Sequence, residues 1–462
     1  MLDAAHTRLR QHNPAICVVY IYVSANRTVA KPQSVQRRVL KVYARHVNYL
    51  PRIADQELAA LRRAVGAVLI EGPKACGKST TASQVAVTTF DMSQDAAARA
   101  SVELNPEFLF DRPRPILFDE WQVTPDLWNR VRHAVDASSR ARGQFILTGS
   151  ATPRDDVNRH SGAGRFGVLR MRPMSLFESG HSTGEVSLSA LLDGVTQTGR
   201  DNGLTVSNLM QRVTIGGWPD LRDAEEGDAT LWLRGYLRQI VEVDIPSLVG
   251  RRDPRILLRV LASLARNVAQ PAPVRGIAAD AGGDRGPLPP ATIYSHLDAL
   301  ERLQLLDNSE AFQPHMRSRA RLRSAQTRYF VDPSIAIAAL RTNSEALMRD
   351  LPAAGMHFEA MVIRDLRVYS ALGGGKVESW RDSDGNEVDA VVTLGDGRWA
   401  AVEVKLGQSQ VDAAAASLRK FARKVDTSVE GEPAALIVIT ATGSAGRRSD
   451  GVHVTPITAL GP

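Results

Sequence analysis

Residues 72–79, GPKACGKS, have the types and spacing to hold a polyphosphate. Gly72 and Gly77 let the backbone curl until successive N–H groups face an anion. Pro73, Lys74, Ala75 and Cys76 fill the turn between them. Lys78 follows with an ammonium that can reach the outer phosphates, and Ser79 with a hydroxyl that can ligate Mg²⁺. Thr80 opens the helix whose positive end faces the anion. Downstream, ILFDE at 116–120 ends an apolar run in two carboxylates. Asp119 would hold Mg²⁺ through its water shell, and Glu120 would polarise an attacking water, which phosphoryl transfer to water requires. Thr148, at the tip of FILTGS (145–150), is placed to sense a terminal phosphate. Arg165, between a polar stretch and a strand, could stabilise phosphate charge in its own chain or across to a neighbouring subunit.

A second set lies near the end of the chain: Glu359, Asp389, Glu403 and Lys405. Their order is that of the PD-(D/E)xK nuclease-like fold. Strand alternation puts Glu403 and Lys405 on one face. With Asp389 and Glu359 the site could hold a second divalent cation, Lys405 orienting a water. An edge strand with alternating charges also yields E-x-K without any chemistry. The fold is therefore expected, and strand cleavage is expected to be absent or weak.

The elements that must position these residues are legible in outline. Ala67–Ile70, Ile116–Phe118 and Gln144–Leu147 are short apolar runs, and Thr80–Phe90 and Pro125–Ser139 read as helices between them. This alternation predicts an α/β fold with a parallel sheet of the P-loop NTPase type. Asp155–Gly164 is polar, and Ser182–Asn202 reads as an irregular insertion. Leu204–Gly216 and Ala229–Val243 read as helices around a Gly216–Pro219 break. Arg255–Asn308 reads as a winged-helix unit, with Tyr294, His296 and Arg302 facing outward from its second helix. That helix lacks a clear set of base-reading side chains, so packing is favoured over DNA reading. The arginines at 317, 319, 321, 323 and 328 could meet phosphates or form a solvated face. Phe358–Glu359 is expected to begin a helix.

The chain has 462 residues, enough for several domains, and its 44% hydrophobic and 23% charged content is ordinary for a globular protein. A net charge of +7 is compatible with nucleic acid without pointing to it. Two cysteines, Cys17 and Cys76, rule out a disulfide framework or a cysteine-based zinc site. Ala15–Val23 is apolar but too short to span a bilayer. It reads as an extra strand or a poorly ordered extension, with a faint likeness to a signal peptide. No membrane association is expected, and a nucleotide-hydrolysing machine argues for the cytoplasm.

GPKACGKS (72–79), ILFDE (116–120), FILTGSA (145–151), GRFGVLRMRPMSLFE (164–178), GGWPDL (216–221) and YFVDPSIAIAAL (329–340) together resemble a known family. It is the AAA+-like P-loop ATPases of bacteria and archaea with a C-terminal domain of unknown function. The resemblance covers about residues 46–410. It implies ATP and Mg²⁺ as cofactors, a basic residue at Lys74, and an arginine-bearing segment at Arg165 that would act in its own chain or across a homo-oligomer. The Gly282–Pro290 insertion departs from the family. The expected organisation is an extension (1–45), an ATPase core (46–182), a helical lid (183–250), a winged-helix region with a basic connector (251–350) and a small restriction-endonuclease-like α/β domain (351–462). Three functions follow: an ATPase that switches the attached domains, a nucleotide-regulated nuclease, or a non-catalytic module controlled by ATP occupancy. DNA is the candidate macromolecular partner.

Overall fold

The apolar run before the phosphate loop becomes a central strand, β1 (Ala67–Glu71), flanked on both sides by other apolar runs. A computed structural model of the chain describes residues 49–150, 161–250, 253–312, 326–382 and 384–462. The extension, Ala151, most of the polar stretch after it, and Arg317, Arg319, Arg321 and Arg323 lie outside the described residues. β2 (Thr88–Asp91), β3 (Ile116–Asp119), β4 (Phe145–Gly149) and β5 (Phe166–Arg170) complete a parallel sheet ordered β2–β3–β4–β1–β5. Alternate residues serve opposite faces. Val68 and Ile70 join one core with Leu117 and Ile146, while Ala67 and Leu69 join another with Phe118 and Phe145. The helix expected over Thr80–Phe90 is shorter, Lys78–Ser83. The chain then enters β2, whose Thr88, Thr89 and Phe90 are strand formers.

The first of these cores continues beyond the sheet. It runs through the helices Glu226–Gln239, Pro254–Arg266, Val274–Gly282 and Pro290–Arg302. After the last of these, antiparallel bridges join Leu306 to Phe330 and Ser309 to Thr327. Tyr294 is exposed as expected, but His296 is buried. At helical spacing His296 falls on the apolar stripe of Ile293, Leu297 and Leu300, so it cannot face outward. Arg302 is mostly covered, 4.0 Å from Asp298.

Residues 183–202, expected in the lid, pair with the C-terminal part instead. Their strands are β6 (Val186–Ser187) and β7 (Gly199–Arg200). The helix expected to begin at Phe358–Glu359 begins at Leu351 and runs to Ser370, capped by Asp350. It is followed by β8 (Lys376–Arg381), β9 (Glu387–Thr393) and β10 (Trp399–Lys405), an antiparallel meander. After the helix Val411–Ala422 come β11 (Ala435–Thr440), β12 (Ser444–Arg447), β13 (His453–Pro456) and β14 (Leu460–Gly461). β11 lies parallel to β10; the sheet order is β7–β12–β13–β11–β10–β9–β8, and β14 pairs with β6.

Two buried ionic hubs join these parts. Arg364, 3% exposed, sets one nitrogen 2.8 Å from Asp332 and another 2.7 Å from Asp365. Asp332 also accepts from the Gly217 N–H at 2.9 Å and the Ser334 hydroxyl at 2.6 Å, and Asp365 from the Leu176 N–H at 3.0 Å. Burial works against the charge of Arg364, but the two carboxylates outweigh it and hold its pKa above the ordinary value. In the second hub Asp307 faces Arg172 at 2.6 Å, Arg170 at 3.2 Å and Arg367 at 3.3 Å. Burial would raise the pKa of Asp307; the three guanidiniums overcome it and hold the carboxyl far below its usual range. Arg364→Met should therefore cost about 3–5 kcal/mol, because it leaves two buried carboxylates without their counter-charge. Urea unfolding followed by circular dichroism measures this, and a loss below about 1 kcal/mol would contradict the assignment.

Candidate nucleotide site and carboxylate cluster

In a parallel sheet every strand points its carboxyl end the same way, and ligands bind there where the strand order reverses. Here the reversal is at β1: the chain leaves it for the far edge at β2, returns through β3 and β4, and crosses to β5. Residues 72–77 follow β1 at that point. A side chain at Gly72 would sit 2.2 Å from the Met171 carbonyl oxygen, so only glycine lets the loop lie against the end of β5. Gly77 has φ 101° and Ala75 φ 63°, the left-handed steps that curl the loop. The buried Lys78 ammonium folds over it, donating to the Gly72 and Pro73 carbonyls at 2.9 and 2.8 Å. The neighbouring β3 and β4 bring Asp119 and Thr148 side by side. Ser79 donates to Asp119 at 2.7 Å, and the Thr148 hydroxyl donates to the same carboxylate oxygen. Hydroxyl and carboxylate oxygens are the hard donors that suit Mg²⁺. Loop and donor set thus fit a nucleoside polyphosphate with its metal.

Glu120 takes left-handed backbone angles, φ 53° and ψ 46°, just past β3. Ser150 donates to its carboxylate at 3.1 Å, and Gln122 donates from its amide. Neither partner was foreseen; the available signal was their nearness to Thr148 and Glu120 in sequence. Lys74 reaches Asp244 at 2.6 Å, and the Tyr236 hydroxyl donates to the Lys74 carbonyl at 3.4 Å. Pro73, Cys76 and Thr80 lie in the loop and at the start of its helix as expected, with Cys76 buried.

Arg165 is the exception. β1 and β5 run in register from Ala67 and Phe166, so Arg165 lies beside the beginning of β1, while the phosphate loop follows its end. Five residues at about 3.3 Å each separate the two levels by about 16 Å. The guanidinium is instead paired with Asp136 at 3.0 Å. Arg165 thus lies at the opposite end of β1 and β5 from the phosphate loop of its own chain.

The four C-terminal residues do come together. Asp389 on β9 and Glu403 on β10 follow the last paired residues, Ala390 and Val402, and Lys405 stands between them, 3.3 Å from Asp389 and 2.6 Å from Glu403. Asp389 also accepts from the Val404 N–H at 2.7 Å, and Glu403 from Ser417 at 3.1 Å. Glu359, mid-helix, accepts from the Tyr329 hydroxyl at 2.6 Å and borders a cleft of about 260 Å³ that also meets Asp389 and Trp380. Burial first, and then the Asp389 charge, raises the pKa of Glu359 well above normal and that of Glu403 to about 7. Among the described residues, no group of three or more His, Cys, Asp or Glu is arranged to hold a metal ion. The second-cation expectation is thus unsupported; the Lys405 ammonium supplies the balancing charge.

Residues 65–179 match the family described as AAA domain. The AAA domain thus covers the phosphate loop, Asp119, Glu120, Thr148 and Arg165. Residues 206–346 and 354–460 match two families, each described as a domain of unknown function (DUF8612 and DUF4143). A Haemophilus influenzae protein described as "Uncharacterized protein" is 26% identical over 222 residues, 47% of this chain and 50% of its own length. The chain thus spans half the length of that curated relative. Among solved structures, a Walker-type ATPase of Pyrococcus abyssi aligns over 65% of this chain and 99% of its own, at 12% identity and a TM-score of 0.39. AMPPCP-bound DnaA from Aquifex aeolicus aligns over 54% and 86%, at 14% and 0.22. No helix among the described residues is long and apolar enough to cross a membrane.

Glu403 yields a pH test. Its carboxyl rises from 4.5 to about 7 on folding, so between those values the folded state holds more protons than the unfolded one. Stability should fall as pH rises through that window and then level off. Glu403→Gln should lose that part of the slope. Urea midpoints at pH 5 and 7.5 compare the two proteins, and identical slopes would contradict the assignment.

Proposed function

We propose that this protein binds ATP with Mg²⁺ through residues 72–80 and hydrolyses it. The observation that carries this reading is the meeting of Lys78, Ser79, Asp119, Thr148 and Glu120 at the carboxyl edge of one parallel sheet. The backbone of residues 72–77 and the Lys78 ammonium would hold the β- and γ-phosphates. Ser79 and Asp119 would hold Mg²⁺, which supplies charge neutralisation at the transferred phosphoryl group. Glu120, fixed by Ser150 and Gln122, would orient the attacking water and draw its proton; Thr148 would meet the terminal phosphate. Arg165 faces away from its own loop, so we assign it to a neighbouring copy's phosphate in a homo-oligomer.

We read residues 46–182 as the ATPase core, 183–250 as the lid, with β7 lent to the C-terminal sheet and β6 paired with β14, 251–350 as a winged-helix-like connector and 351–462 as the nuclease-like domain. Its succession of helix, β8–β9–β10 meander, helix and parallel β11 supports that fold. The Lys405-centred cluster favours a scaffold over a metal-dependent nuclease. The outer face of the helix Pro290–Arg302 carries Asp298 and Glu301, which would repel DNA phosphates. Packing is therefore its assigned role, and ATP the assigned partner. A cytoplasmic setting follows from this use of ATP.

Lys78→Ala should weaken ATP binding about a hundredfold or more, since the phosphates lose a charged donor. Glu120→Gln should keep binding while turnover falls about 100-fold or more. Phosphate release and nucleotide affinity measured on both variants test this; wild-type turnover in Glu120→Gln would contradict the role given to Glu120. For Arg165, turnover per chain should rise with protein concentration, and mixing Arg165→Ala with Lys78→Ala protein should restore part of it. Concentration-independent turnover with no restoration would contradict the neighbouring-copy role.

A further inference from the structure

A buried arginine meets the backbone of the phosphate loop but none of the side chains assigned to hydrolysis. Arg52 precedes the helix Ile53–Ala64, and its side chain is 4% exposed. One terminal nitrogen donates to the Cys76 carbonyl at 3.0 Å and the other to the Arg172 carbonyl at 2.9 Å. Its Nε donates to Glu178 at 3.0 Å. Glu178 also accepts from the Ile53 N–H at 2.8 Å, the Ser175 N–H at 2.9 Å and the Ser175 hydroxyl at 3.1 Å. The guanidinium thus joins the phosphate loop to the chain just past β5, and it is held by a carboxylate that is itself fixed.

The contact with Cys76 has a directional consequence. In a trans peptide the C=O and the following N–H point in opposite directions. Drawing the Cys76 carbonyl towards Arg52 turns the Gly77 N–H the other way, away from Arg52. That N–H belongs to the set that cradles phosphate oxygens in such loops. Gly77 fits this arrangement: a side chain there would come within 3.3 Å of the Arg52 nitrogen, at a backbone φ of 101°. Lysine cannot reproduce it, because one ammonium does not span two carbonyls and a carboxylate as a planar fork does.

We propose that Arg52 is a positioning residue for phosphate binding, which orients the Cys76–Gly77 peptide so that the loop recognises the β-phosphate of ADP and ATP. The inference rests on the ATP reading above. The test uses Arg52→Lys, which keeps a charge beside Glu178, and the double variant Arg52→Met with Glu178→Gln, which removes both buried charges together. In each, ADP affinity should fall about tenfold or more, the loss typical of a hydrogen bond to a charged group. AMP, which lacks the β-phosphate, should bind as it does to wild type. KM for ATP should rise likewise while kcat at saturation changes less than about threefold. A role confined to stability would lower the melting temperature and the active fraction, and so kcat, and leave KM and the ADP-to-AMP ratio unchanged. That result, in whichever variant folds, overturns the proposal and leaves the ATPase reading standing. Wild-type protein that neither binds nor hydrolyses ATP overturns both.

Discussion

A guanidinium withdrawn from water must find acceptors for its N–H groups and a counter-charge, or the fold loses several kcal/mol. Arg364 finds them on Asp332 and Asp365, and those two carboxylates reach the rest of the molecule. Asp332 caps the helix Pro333–Leu340 through Ser334 and takes the Gly217 N–H. Asp365 takes the Leu176 N–H, just past the AAA domain's last strand. The glycines there follow from the same constraint. A side chain at Gly216 would meet Asp332 at 2.5 Å, and one at Gly217 would meet the Met174 carbonyl at 2.0 Å. GGWPDL and YFVDPS, far apart in sequence, are thus two sides of one junction, and the Trp218 indole closes it by donating to Ser334 at 3.0 Å.

Magnitudes then separate the fixed joints from the exchangeable ones. Breaking the Arg364 or Asp307 hub costs about 3–5 kcal/mol, because a buried charge is left alone. The pair of Lys74 with Asp244 joins the phosphate loop to the helical region beyond it, and the Lys74 side chain is about half exposed. Exposed pairs contribute about 0–1 kcal/mol, so this contact can be exchanged for a phosphate at little cost. Asp244 also ends a π-helical turn, Ile240–Asp244, an irregularity that often marks functional places in helices. The contact between the phosphate loop and the helical segment that carries Asp244 is therefore the exchangeable joint, and the buried hubs are the fixed ones.

Much of the first half was legible because local pattern and chemistry coincide there. The apolar runs of β1, β3 and β4, each ending in a polar residue, name both the strand and the group it presents. β2 was hidden because Thr88–Asp91 carries a single buried apolar side chain, Phe90, and only four residues separate it from the preceding helix. Arg165 was placed before its strand, but its distance from the phosphate loop was not legible, because only the parallel register shows that it lies level with the beginning of β1. His296 was assigned outward on its polarity, although its helical position belongs to the core. Arg52 left no trace, since its acceptors are two main-chain carbonyls and a glutamate 126 residues away. In the C-terminal cluster the residues were legible, and so was Lys405 as a counter-charge on the face of Glu403; that its ammonium reaches Asp389 as well is a matter of three-dimensional register.

Everything proposed for this protein depends on residues 72–80 forming a working polyphosphate site. Isothermal titration of Mg²⁺·ATP into the wild-type chain tests it most directly. One ATP should bind per chain, ADP should compete for the same site, and adenosine should not, since the recognition lies in the phosphates. Absence of binding heat, together with an unchanged melting temperature in millimolar Mg²⁺·ATP, would contradict the account.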